Sequence, residues 1–198
     1  MTEVFEGIVL DKSFRGESGL LLSVLRADGG VRVLHKKVSR KKPSALPDYF
    51  DTASFEAEES KAGGILFLGG FEILARRAGI AADYDAFKNA CEISKFALKN
   101  SKFLESFGAL YDLVGASFCA IDSGADSFAV RAKFLYAFAK SEGYAAKEDF
   151  AAGLCAEDFE CLKKIVSAPA ASLRSVPRAA ALLERLVFWI GSSTDFSA

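Results

Sequence analysis

The chain has 198 residues, 51% hydrophobic and 26% charged, and a formal net charge of -1 at pH 7. That composition excludes a disordered polyelectrolyte and supplies enough apolar material for one good core or two small ones. The longest apolar runs, ILFLGGFEILA at 65–75 and LVFWIG at 186–191, fall short of the roughly 20 residues that a bilayer-spanning helix needs.

The amino end, MTEVFEGIVLDK, lacks the basic region and cleavage site of a secretory leader, so a cytoplasmic protein is expected. Up to about residue 75 the pattern has the period of strands. VFEGIVLDKSF, GLLLSVLRAD, GVRVLHKKV, ASFEAEE and GILFLGGFEIL are five short runs rich in Val, Ile, Leu and Phe, separated by Gly, Asp and Pro. Asp28-Gly29-Gly30 reads as a hairpin turn, since glycine reaches positive φ without steric cost. In the third run Val31, Val33 and His35 alternate with Arg32, Leu34 and Lys36, which predicts that the first three form the apolar face. His35 then reads as a structural histidine, with a nucleic-acid contact as the alternative. Pro43 and Pro47 make 41–50 a loop, because proline cannot serve a central strand.

From about residue 83 the period becomes helical. Phe103, Phe107, Leu110, Tyr111, Val114, Phe118 and Ile121 form one continuous apolar stripe. Further helices are predicted at 84–99, 127–142, 156–167 and 178–190, with Asp83 and Ser101 as amino-terminal caps and Gly143 as a stop. The expected fold class is therefore α+β: a five-stranded β-barrel of the OB type over 1–78, with an SH3-like barrel of similar strand statistics as the less favoured alternative, followed by an all-helical domain over 79–198.

Charge is unevenly distributed. Residues 1–47 hold nine basic and five acidic side chains, a balance of +4, and the remainder carries -5. Lys36, Lys37, Arg40, Lys41 and Lys42 lie within seven consecutive positions. A run of this kind is either a solvated loop or an edge that follows phosphates. With Arg32 from the same strand, and Lys12 and Arg15 before the first turn, these cations are predicted to line one rim of the barrel and bind nucleic acid without sequence specificity. Phe14 and Tyr49 neighbour the basic segments and are the candidate base-stacking residues.

Cys91, Cys119, Cys155 and Cys161 include no Cys-x-x-Cys pair, and the one histidine is His35, so neither a metal site nor a cofactor is expected and the cysteines read as buried free thiols. A disulfide between Cys155 and Cys161 would need an oxidising compartment. With no P-loop and no nucleophile elbow either, the chain lacks the usual enzymatic constellations.

The first 45 residues resemble the RecO family of bacterial recombination mediators. The similarity is carried by Gly7-Ile8-Val9-Leu10, Phe14-Arg15, Glu17-Ser18, Leu20-Leu21-Leu22, Gly29-Gly30 and Lys37-Val38-Ser39-Arg40, with a second match in RAKFLYAFAKSEGY at 131–144. The resemblance implies an OB fold and a DNA-repair function. It implies binding of single- and double-stranded DNA, strand annealing and, with RecR, loading of recombinase onto strands covered by single-strand DNA-binding protein. It further implies that the carboxy-terminal tail of that protein docks on the helical domain, and a nucleoid-associated location. Many members insert a four-cysteine zinc module, for which the stretch from Phe150 to Val176 is too short, so a metal-free variant is expected. An RNA- or ribosome-binding OB protein and a protein-interaction adaptor are the competing expectations.

Overall fold

A computed structural model of the chain describes residues 2–16, 18–38, 45–60, 63–104 and 108–197. It is α+β, a five-stranded sheet followed by helices. Two compact units are present: Met1–Arg76 with Ser101–Tyr111, and Arg77–Asn100 with Asp112–Ala198.

In the first unit the strands are β1 (Thr2–Arg15), β2 (Gly19–Arg26), β3 (Val31–Lys37), β4 (Thr52–Glu59) and β5 (Leu66–Ala75). Their order is β1-β2-β3-β5-β4, and β4 returns to pair with β1, so the sheet closes on itself. All pairings are antiparallel except β3 with β5, a short parallel seam of Leu34 with Leu66 and His35 with Phe67. The long β1 serves two neighbours, β4 through its first half and β2 through its second, and bends at a register shift between Val9 and Asp11. Phe5, Val9, Leu20, Leu22, Val24, Leu34, Phe55 and Leu68 fill the interior. Each such side chain contributes about 1.5–3 kcal/mol by leaving water. At the β2–β3 turn Gly30 adopts φ 67°, and the Arg26 N–H donates to its carbonyl at 2.9 Å.

Strand β3 is turned over relative to the alternation expected from sequence. Leu34 is fully buried, whereas Val33 is 45% exposed and His35 half-buried. Register with β2 is the cause: Leu34 lies opposite Leu22, flanked by Leu20 opposite Lys36 and Val24 opposite Arg32. Residues opposite one another share a face, so the inward leucines and valine of β2 draw Leu34 inward and leave Val31, Val33 and His35 outside.

The second unit is helical, with α1 (Tyr84–Asn100), α2 (Gly108–Asp122, its first four residues grouped with the first unit), α3 (Ser127–Ser141), α4 (Ala156–Ser167) and α5 (Ala179–Ser193). Helix α3 is central and packs on α1, α4 and α5. Phe96 of α1 stands edge-on to Phe134 and Phe138 of α3, with centroids 5.6 and 4.9 Å apart. Asp126 caps α3: its Oδ1 accepts from the N–H groups of Phe128 and Ala129, and its Oδ2 from that of Val176. Asp83 caps α1 through the Ala86 N–H at 2.7 Å. Gly143, at φ 84°, stops α3, and the Tyr144 N–H reaches back to the Ala139 carbonyl.

Ser101 is not a helix cap. It opens a single 3-10 turn, Ser101–Phe103, which the non-helical Leu104 separates from α2, and Phe103 is 70% exposed; Phe107 of the predicted stripe lies outside the described residues. Buried thiols are also corrected: Cys161 is buried, Cys91 half-buried, and Cys119 and Cys155 exposed, and none of the four is in a disulfide. Among the described residues no helix is long and apolar enough to cross a membrane.

Candidate nucleic-acid interface

Register fixes which cations share a face. Arg15 lies opposite Gly19, and Gly19 opposite Lys37, so Arg15 and Lys37 flank a glycine across three strands. Both side chains are exposed. Two strand spacings separate them, about 10 Å. A side chain at Gly19 would meet the Arg15 carbonyl oxygen at 2.6 Å, so glycine is required there and the lane between the cations stays open.

Two residues along the same outer face, Ser13, Leu21, His35 and Phe67 form the next row. His35 and Phe67 make an edge-on ring pair with centroids 5.9 Å apart, and Phe67 is 38% exposed. The outer surface of β2, β3 and the start of β5 thus carries two cations, an open lane and a partly exposed aromatic pair. Cations neutralise phosphates and the aromatic faces offer stacking area.

Several of the predicted site residues are engaged elsewhere. The Lys12 ammonium is held by Asp48 at 3.3 Å, with only 16% of its side chain exposed. Tyr49 donates its hydroxyl to the Lys12 carbonyl at 2.7 Å, and its ring lies against Phe50, so it fastens the 45–50 segment to β1. Lys36, on the inward row, donates to the carbonyls of Leu68 at 3.1 Å and Gly69 at 3.5 Å. Pairing of β3 with β5 ends at Phe67, and Lys36 satisfies the carbonyls that follow. Arg32 stands at the opposite end of β3, beside the β2–β3 turn, where its charge acts on Asp28. It is five positions from Lys37, about 16 Å along a strand. Phe14 is 66% exposed, on the inward-facing row beyond the core, opposite Leu20. Arg40, Lys41 and Lys42 lie outside the described residues.

The β2–β3 turn beside Arg32 has its own electrostatic centre. Arg26 grips Asp28 with bonds of 2.7 and 2.5 Å, also bonds Glu3, and lies over the Phe5 ring at 4.7 Å. The Arg26 hydrogen bonds hold the Asp28 carboxyl below the usual carboxylate range, and Asp28 in turn raises the guanidinium. These groups are satisfied internally.

Sequence reasoning missed Phe67 and Gly19 and assigned His35 to the wrong face. Phe67 sits in a run that is apolar at nearly every position, and its outward direction depends on its pairing with His35. Glycine before a leucine run is a legible signal of close backbone approach.

In the helical unit, Tyr136, Phe159, Leu162 and Val166 line a groove of about 250 Å³ whose edges carry Lys147 and Lys163. Nearby in sequence, the fully buried Asp158 carboxylate is paired with Arg178 at 2.7 Å and Arg185 at 3.2 Å. Its pKa is held below the usual range chiefly by the hydrogen bond from Arg178, against the effect of burial. Among the described residues no group of three or more His, Cys, Asp or Glu side chains could hold a metal ion. No family model matches the chain, and no curated protein matches it.

Proposed function

We propose that the chain is a RecO-like mediator of DNA repair and recombination whose first unit is an OB-type barrel that binds DNA strands. The strand order with a parallel β3–β5 seam supports the OB reading. The observation that carries the binding reading is the outer strip in which Arg15 and Lys37 flank Gly19 beside the His35–Phe67 pair. On this reading a single strand runs across β2 and β3, with phosphates at Arg15 and Lys37 and bases against Phe67 and His35. Sequence preference is low, because the protein offers charge and ring faces rather than a fixed donor pattern. Double-stranded DNA is held through the cations alone, and annealing follows from keeping two strands together on a surface that does not read their base edges.

For the partners, the groove edged by Lys147 and Lys163 has the chemistry of a site for an acidic, apolar tail, which supports docking of single-strand DNA-binding protein. RecR is the proposed co-mediator for recombinase loading. The test is annealing of complementary strands coated with single-strand DNA-binding protein, by the wild type and by the Arg15→Ala/Lys37→Ala double variant. Loss of annealing with an unchanged fold is expected. A preference of the wild type for an RNA strand over a DNA strand of the same sequence would shift the reading toward an RNA binder, because only a reader of the 2′-hydroxyl gains from it.

A further inference from the structure

Helix α5 ends at its C-cap Thr194, whose backbone is extended at φ -132° and ψ 165°, and the chain bends through 194–196. The segment then crosses the end of α1 and the end of α3, and three successive residues are each engaged. Asp195 meets the Tyr144 hydroxyl, which donates to its Oδ2 and accepts from its N–H, both at 3.1 Å. Phe196 stands edge-on to Phe138 and Tyr144, with centroids 4.9 and 5.6 Å away. Ser197 is gripped by Asn100, whose Nδ2 donates to the Ser197 carbonyl at 3.0 Å while its Oδ1 accepts from the Ser197 N–H at 3.1 Å.

This is the chemistry of a bound peptide. Asn100, 1% exposed, reads one residue's main chain with both ends of its carboxamide and so takes any side chain there. The ring box asks for an aromatic residue, and the tyrosine hydroxyl asks for an acceptor just before it. We propose that Asn100, Phe138 and Tyr144 form a peptide-recognition site, that residues 195–197 are its resident occupant, and that a partner's segment with an acid followed by phenylalanine can replace them.

Exchange is favoured by how lightly the segment is held. Asp195 and Ser197 are exposed, Phe196 is only half-buried, and the connection to α5 is the single residue Thr194. Thr194 Oγ1 donates to the Ile190 carbonyl and accepts from the Phe196 N–H, which shapes the turn without anchoring the ring. Segments with few buried contacts open first. When the segment lifts, Asn100 keeps its bond to the Phe96 carbonyl at 2.8 Å and loses both bonds to Ser197. A buried carboxamide in that state favours a second peptide backbone over an empty site. None of these residues belongs to the outer strip of the barrel, so this inference and the nucleic-acid reading fail or stand separately.

The test uses a fluorescein-labelled peptide of residues 192–197, SSTDFS, titrated by anisotropy into three proteins: the full chain, the chain ending at Ser193, and the full-length Phe196→Ala variant. Saturable binding is expected for the shortened chain and for Phe196→Ala. Binding to the full chain should be at least ~10-fold weaker, since the resident segment competes intramolecularly. A peptide with alanine in place of phenylalanine should bind at least ~10-fold more weakly than SSTDFS, the ring being the main apolar contact. The proposal is overturned if folded Phe196→Ala protein fails to bind SSTDFS up to about 1 mM, the weak limit of specific recognition. It is equally overturned if the shortened chain no longer unfolds cooperatively, because the segment is then part of the core and not an exchangeable ligand.

Discussion

The Lys36 ammonium donates to the Leu68 carbonyl at 3.1 Å, closing the barrel where β3 and β5 stop pairing. Lys36 is therefore a seam residue, although it sits inside the most basic stretch of the chain. Replacing Lys36 with Met keeps the aliphatic stem and removes the donor. The expected loss is about 1–3 kcal/mol in urea denaturation, the cost of unsatisfied carbonyls. Lys37→Ala, one residue away and exposed, should change stability by less than about 0.5 kcal/mol.

If a strand crosses the outer face of β2 and β3 as proposed, salt separates the contribution of Phe67 from that of Lys37. Phe67→Ala should cost about 1–3 kcal/mol of single-strand affinity at every ionic strength, because stacking is not a counterion effect. Parallel titrations in low and high salt check this. A Phe67 effect that vanished in high salt would contradict the stacking role.

Asp158 makes the helical unit sensitive to acid. Its folded pKa is lowered, so its stabilising contribution is complete above the unfolded aspartate value near 3.9 and disappears as pH falls toward the folded value. Asp158→Asn should destabilise the protein by about 3 kcal/mol at pH 7, the low end for a broken buried pair, since Arg178 and Arg185 keep contact with water. Denaturation curves at pH 7 and pH 3 should show the gap between variant and wild type narrowing in acid.

Lys133 joins α3 to the end of α4 by donating to the carbonyls of Ile165, Val166 and Ala168 at 3.0, 2.7 and 2.9 Å. These are carbonyls that the end of a helix leaves without partners. Lys133→Met should lower stability by about 2 kcal/mol, and hydrogen exchange should speed up in the last turn of α4 before the rest of the unit.

The five strands and the main helices were legible because their signals are local: the short apolar run of 20–25 bounded by Gly19 and Asp28-Gly29-Gly30, the three-and-four spacing of 127–141, Asp83 before α1 and Gly143 after α3. The face of β3 was not, because Val31 and Val33 compete with Leu34 for the interior and the decision is made by Leu20, Leu22 and Val24 on the neighbouring strand. The same non-locality hid the engagement of Lys12 by Asp48 and of Lys36 by β5, since a cation's partner 32 or 36 residues away leaves no mark in its own segment. Composition showed the surplus of basic residues in 1–47. Which cations face outward required the register.

The central claim is that Arg15 and Lys37 form a phosphate track across β2 and β3. The most direct measurement is the affinity of Arg15→Ala/Lys37→Ala for an oligo-dT strand over a range of salt, with Arg32→Ala as the comparison. Two lost phosphate contacts should weaken binding at low salt and flatten the plot of log affinity against log salt by about 1.4, roughly 0.7 per contact. Arg32→Ala, at the far end of β3, should leave both quantities unchanged. If the double variant binds at low salt as the wild type does, with the same slope, the strand does not cross this face.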